Sequence, residues 1–126
     1  MDVAARIEIE KKIVRHLIRT MKEHGWDAHA VNDGEEFHIG LTAEKQVMDH
    51  AFAVDEASIH FENKKLPFIN SEGEEKCVSH YVYLVFGNDG YDVIADWSYR
   101  DDDNFKIIME EIIEPYADAI ADEVLG

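Results

Sequence analysis

Apolar positions in residues 1–25 recur three and four apart: Ile7, Ile13, Val14, Leu17, Ile18 and Met21, with Glu10 on the same stripe. That is the period of an amphipathic helix. Lys22, His24 and Gly25 supply the cationic last turn and the left-handed stop that end one. Beyond Gly25 the period drops to two, interrupted by Asp33-Gly34, a pair that favours a tight type I′ hairpin turn. With those two residues as the loop, Trp26 faces Leu41, Ala28 faces Ile39 and Ala30 faces Phe37 on one apolar side. The other side then pairs Asp27 with Gly40, His29 with His38 and Val31 with Glu36.

Thr42 is placed to cap a short helix with Val47 over Ala51 and Met48 over Phe52, ending near Val54-Asp55. A strand over Ala57–Glu62 turns Ile59 and Phe61 inward. Asn63–Lys76 is polar, holds Pro67 and Gly73, and reads as a long loop with room for a brief strand at Leu66–Ile69. The strongest alternation follows, where Val78–Gly87 and Tyr91–Tyr99 flank Asn88-Asp89-Gly90. With Asp89-Gly90 as the loop, Phe86 faces Val93, Leu84 faces Ala95 and Val82 faces Trp97 on a core side. The reverse side sets Val85 with Ile94, Tyr83 with Asp96 and Tyr81 with Ser98. The last segment is helical again, burying Phe105, Ile108, Met109, Ile112, Ile113, Tyr116, Ile120 and Val124 behind a cap among Asp101–Asp103. Pro115 inside this pattern predicts a kink or break near Glu114.

The expected fold is therefore α+β: a single domain over residues 1–126, with an antiparallel sheet from two β-hairpins plus an additional strand. Its helices lie mainly on one face, and the chain ends in a long, acidic, Pro-kinked helix. Trp26, Phe37, Leu84, Phe86 and Trp97 are expected in one core.

Composition changes the picture chiefly through charge. The chain carries 28 Asp and Glu against 12 Lys and Arg, a net charge of -16. Such a surface argues against direct binding of nucleic acid, which needs cations to neutralise phosphate, and against an anionic membrane. The imbalance is uneven, because six of the 12 bases fall in residues 1–25. Cys77 is the single cysteine, so no intrachain disulfide forms, and no N-terminal apolar segment suggests export. A cytoplasmic location is the expectation.

Two stretches, Ala51-Phe52-Ala53-Val54-Asp55-Glu56-Ala57 and Val82 through Trp97 (VYLVFGNDGYDVIADW), resemble short uncharacterised proteins encoded by bacteriophages, prophages and plasmids. The resemblance covers the middle third of the chain. It implies a mobile-element accessory protein and carries no catalytic residues with it.

Candidate chemistry is sparse. Glu111, Glu114, Asp118 and Asp122 are spaced three, four and four apart, which stacks them along one helix face. At ~1.5 Å rise per residue their steps of about 4.5–6 Å approach the ~6.8 Å of two base steps in DNA. With Asp101, Asp102 and Asp103 at its head, this row suits a phosphate mimic that occupies a basic, nucleic-acid-binding groove on a protein partner. A plain solvated face is the bland alternative. A second surface is the reverse side of the later hairpin: Tyr81, Tyr83, Val85 and Ile94. Tyrosine-rich patches favour interfaces, here with a second copy of the chain. Third, His29 opposite His38, flanked by Asp27 and Glu36, offers a metal pair, although no HxH, HExxH or CxxC spacing supports it. Catalysis has little footing. Cys77 and His80 point to opposite faces of a strand, the serines lack a GxSxG context, and Asn88–Asp92 departs from a calcium loop. The function expected is that of a non-catalytic, cofactor-free binding protein that inhibits a nucleic-acid-processing partner. The alternatives are a homo-oligomeric assembly module and, behind it, a metal-binding protein.

Overall fold

The computed structural model describes residues 3–87 and 92–125. Helix α1 (Val3–Glu23) buries Ile13, Val14, Leu17, Ile18 and Met21, the stripe its periodicity requires. It ends in a Schellman motif: the Trp26 N–H reaches the Met21 carbonyl at 2.8 Å and the Gly25 N–H that of Lys22 at 3.1 Å. Gly25 sits at φ 94°, a left-handed conformation that disfavours other residues.

Five antiparallel strands follow: β1 (Asp27–Asn32), β2 (Phe37–His38), β3 (Glu56–Ile69), β4 (Glu75–Val85) and β5 (Ile94–Trp97), in the spatial order β2-β1-β3-β4-β5. Helix α2 (Glu44–Ala51) joins β2 to β3. The C-terminal helix runs as α3 (Phe105–Ile108), a π-helical turn (Met109–Ile113) and α4 (Glu114–Leu125). The α+β class with its antiparallel sheet is as the sequence predicts.

The helices cover one sheet face. On it Ala57, Ile59, Phe61 and Asn63 of β3 and Val78, His80, Val82 and Leu84 of β4 are buried. Their alternates, including Ser58, His60, Tyr81 and Tyr83, are half-exposed. Trp26, Phe61 and Phe105 fill the centre, with Trp26 and Phe105 edge-to-face at 5.1 Å. The Trp26 indole N–H donates to Asn104 Oδ1 at 2.8 Å, and His16 of α1 stacks on Tyr116 of α4 at 3.8 Å.

The first hairpin departs from the expected register. Its loop spans four residues, Asp33–Glu36, because the Asp33 carboxylate accepts the N–H groups of Glu35 (2.9 Å) and Glu36 (2.7 Å) and shapes the turn itself. Val31 lies opposite His38 and Asn32 opposite Phe37. Against β3 the register of β1 shifts between Ala28 and Ala30, a bulge at His29. One extra residue turns Val31 to the core beside Ile59 and places Ala30, itself fully buried, opposite His60. Phe37, expected inside, is half-exposed on the open sheet face.

Residues 63–76, expected as a loop, instead extend β3 and β4 into a long hairpin. Its turn closes on Asn70, whose side chain accepts from the Glu72 and Glu74 N–H groups at 2.9 Å each. A register shift between Asn63 and Pro67 accommodates the proline, which cannot donate to a ladder.

In the later hairpin Val82 faces Trp97 and Tyr83 faces Asp96 as predicted, but a bulge sets Ile94, not Ala95, opposite Leu84. The predicted turn at Asn88-Asp89-Gly90 lies outside the described residues. Leu84 is buried, while Phe86 and Trp97 are partly buried against the core, Phe86 stacking on Phe52 at 4.4 Å. Thr42 does not cap α2. The N-cap is Ala43, and Gln46 Oε1 reaches back to accept the N–H groups of Thr42 (3.0 Å) and Ala43 (3.1 Å). At the C-terminus the π turn answers Pro115: a wider turn just before the residue without an N–H absorbs the mismatch. It also turns Ile113 fully inward and leaves Ile112 36% exposed, reversing the expectation for Ile112.

Candidate functional site

The acidic row is only partly a free surface. Glu111, Asp118 and Asp122 are exposed, as are Asp101 and Asp102. Glu114 is half-buried and accepts the Trp97 indole N–H at 3.2 Å, which ties the helix to β5. Asp102 pairs with Arg100 at 2.9 Å. Asp103 is not at the surface: its side chain is 4% exposed, bonded through Oδ2 to His80 Nε2 at 2.8 Å and through Oδ1 to the Phe105 N–H at 2.9 Å. It accepts the first N–H of the terminal helix and pins that helix to β4, which removes it from any partner-facing row. Among the described residues no Lys, Arg or His lies within ion-pair distance of Glu111, Asp118 or Asp122.

His80 also approaches Ser98, Oγ to Nδ1 at 3.3 Å, so serine, histidine and aspartate stand in one line. The resemblance to a hydrolytic triad ends there. The histidine is buried between Trp26 and Phe105, with ring centroids 5.2 and 4.9 Å away, and the Ser98 hydroxyl already accepts the Tyr81 N–H at 3.0 Å. The arrangement satisfies buried polar groups where strand meets helix. Sequence spacing gives no sign of it, because the three residues come from different elements.

The open sheet face carries an aromatic stripe. Phe37 meets His60 edge-on at 4.8 Å, His60 lies 6.2 Å from Tyr81, and the Tyr81 hydroxyl donates to Asp96 at 3.3 Å. The charge of Asp96 raises the Tyr81 pKa, and a hydrogen bond to Glu56 raises that of Tyr83. Burial, then the charge of His29, pushes His60 below the usual histidine range. Of the residues expected here, Tyr81, Tyr83 and Val85 alternate with the core positions of β4, whereas Ile94 packs against the core cluster through its bulge. Phe37 joins the stripe unpredicted, because only the bulge at His29 brings it to this face, whereas His60 points outward as the alternation of its strand predicts.

The predicted His29–His38 pair is not formed. His38 stacks on His50 of α2 at 3.8 Å and bonds Asp33 at 2.8 Å. The Glu36 N–H first, and His38 second, hold the Asp33 pKa down at about 2. His29 sits in the bulge, its Nε2 buried without a hydrogen-bond partner. Among the described residues no group of three or more His, Cys, Asp or Glu is arranged to hold a metal ion.

Beside His29 a cleft of about 650 Å³ opens along the edge of β1. It exists because β2 pairs only with Val31 and Asn32, leaving the start of β1 without a strand neighbour on that side. Its walls come from α1 (Ile18, Arg19, Lys22), β1 (Asp27–His29), the Gly40–Glu44 approach to α2, and β3 (Glu62, Lys64).

No protein-family model matches the chain, and no curated protein or solved structure is significantly similar to it. No helix among the described residues is long and apolar enough to cross a membrane.

Proposed function

We propose that this chain is a non-catalytic binding protein that meets a basic partner through its acidic terminal helix. Glu111, Asp118 and Asp122 would stand in for phosphates in the groove of a nucleic-acid-processing protein, and so inhibit it. One observation carries the reading: these three carboxylates are exposed and have no counter-ion within 4.0 Å among the described residues, while Ile113, Ala117 and Ile120 of the same helix are buried. The charge is therefore displayed on a fixed scaffold, where it steers association and competes with phosphate. The resemblance to mobile-element proteins fits an accessory inhibitor of this kind.

The test is affinity capture from the native host at low and high salt, followed by displacement with duplex DNA. Glu111→Lys/Asp118→Lys/Asp122→Lys is the matched variant, and Arg15→Glu/Arg19→Glu the control. Capture of a nucleic-acid-binding protein that DNA displaces, and that the triple variant loses while melting like its parent, supports the reading. An equally tight complex with the triple variant refutes it.

A second reading, self-association through the open sheet face, is favoured by the Phe37–His60–Tyr81 stripe, whose Phe37 is 50% exposed. Salt separates the two readings. Screening weakens a steered acidic contact, but strengthens association between copies that each carry -16.

A further inference from the structure

The cleft along the edge of β1 displays charges of both signs that its own side chains leave unpaired. Part of its lining is already satisfied. The Arg19 guanidinium forks onto the Glu44 carboxylate at 2.7 and 2.9 Å, and Gln46 accepts the N–H groups of Thr42 and Ala43. The N–H groups of Thr42 and Ala43, just ahead of α2, are thus already taken. What remains is Lys22 and Lys64, with no carboxylate within 4.0 Å among the described residues, and Asp27 and Glu62, with no cation within that distance. Asp27 and Glu62 are direct cross-strand partners. Like charges so placed repel, and among the described residues neither carboxylate has a cation within 4.0 Å. Ile18, Ala28, Leu41 and Val47 supply apolar wall, and His29 also lines the cleft. The volume is in the range of small-molecule sites.

We propose that this cleft binds a small zwitterion of amino-acid or dipeptide size, its ammonium received between Asp27 and Glu62 and its carboxylate by Lys22 and Lys64. An ammonium between two facing carboxylates removes their repulsion and gains charge-assisted hydrogen bonds. An anion alone would leave that repulsion in place, and a cation alone would leave the lysines unanswered. The proposal uses no residue of the terminal helix and stands apart from the partner-binding reading.

An amide-resolved NMR titration of the full chain with L-leucine and L-leucyl-L-leucine tests it. Isoamylamine and isocaproate serve as the analogues carrying one charge each. The zwitterions should shift the amides of residues 27–29 and 40–43 saturably, and each single-charge analogue should bind at least about tenfold more weakly. Asp27→Asn and Lys64→Met should each weaken zwitterion binding by about tenfold or more. Asp27→Asn should also raise the melting temperature of the free protein, since it removes one of the two facing charges. The proposal is overturned by any of three results: isocaproate binding as tightly as leucine, no saturable shift from either zwitterion at about 10 mM, or unchanged binding by both variants.

Discussion

Replacing Asp103 by alanine tests whether this residue is a buried fastener or part of a partner-facing acidic row. Its carboxylate makes two bonds, to His80 Nε2 at 2.8 Å and from the Phe105 N–H at 2.9 Å, with its side chain 4% exposed. Loss of the bond to the Phe105 N–H costs about 1 kcal/mol. Leaving a buried imidazole nitrogen without a partner costs about 1–3 kcal/mol more. The sum, roughly 2–4 kcal/mol, lowers Tm by about 10 °C in a chain of this size. Asp103→Asn keeps an oxygen for the Phe105 N–H and a second polar atom for His80, so it should cost under about 1 kcal/mol. Urea and thermal unfolding read both variants, and the double variant with His80→Phe measures the coupling, expected above about 1 kcal/mol. A loss below about 0.5 kcal/mol for Asp103→Ala, within the range of ordinary surface substitutions, would refute the fastener and return Asp103 to the acidic surface.

The π turn yields a contrast between neighbours. Ile113→Ala, at a fully buried position, should cost about 2–5 kcal/mol, and Ile112→Ala under about 1 kcal/mol; equal losses would mean that the terminal helix keeps a regular α register. A further prediction concerns pH. Burial depresses the pKa of both His16 and His60, so the folded state takes up protons at lower pH than the unfolded chain, whose histidines titrate near 6.5. Stability should therefore fall as pH drops from 7 through 6, and His16→Phe should flatten that slope; an identical slope in the variant overturns the assignment. Asp33 acts lower, its stabilising contribution fading as pH falls from 3.8 towards about 2.

The elements that could be read from sequence are those whose side chains alternate without interruption. The stripe of α1 and the pairs Val82–Trp97 and Tyr83–Asp96 follow from period alone. What escaped were single insertions. Nothing local to His29 or Ala95 announces an extra residue, and Pro115 predicts a break near Glu114 without giving its π form; each insertion re-aims neighbouring side chains, Val31, Ile94 and Ile112 among them. Polar composition also hid the Asn63–Lys76 hairpin, whose far end projects past the core and so needs no apolar alternation: Ile69 there is 65% exposed. The candidate surfaces suffered accordingly. Glu111, Asp118 and Asp122 are where helical spacing puts them, but Glu114 and Asp103 are engaged by Trp97 and His80 from distant strands. The β1-edge cleft depends on how early β2 stops, which residue pattern did not convey.

The contacts of Trp26 also bear on how the chain folds during its synthesis. Its indole bonds to Asn104, 78 residues later, and Glu10 of the first helix accepts the Gly87 N–H, 77 residues later. A ribosome delivers α1 and β1 long before either partner has been translated, so the first helix leaves the exit tunnel with its apolar stripe unsheltered. The barrier to folding is then set by closing these long loops. Asn104 and Phe105, which bond to and pack against Trp26, are among the last residues needed before it is sealed in. A nascent chain halted before them should remain open to protease, however much of the sheet has already emerged.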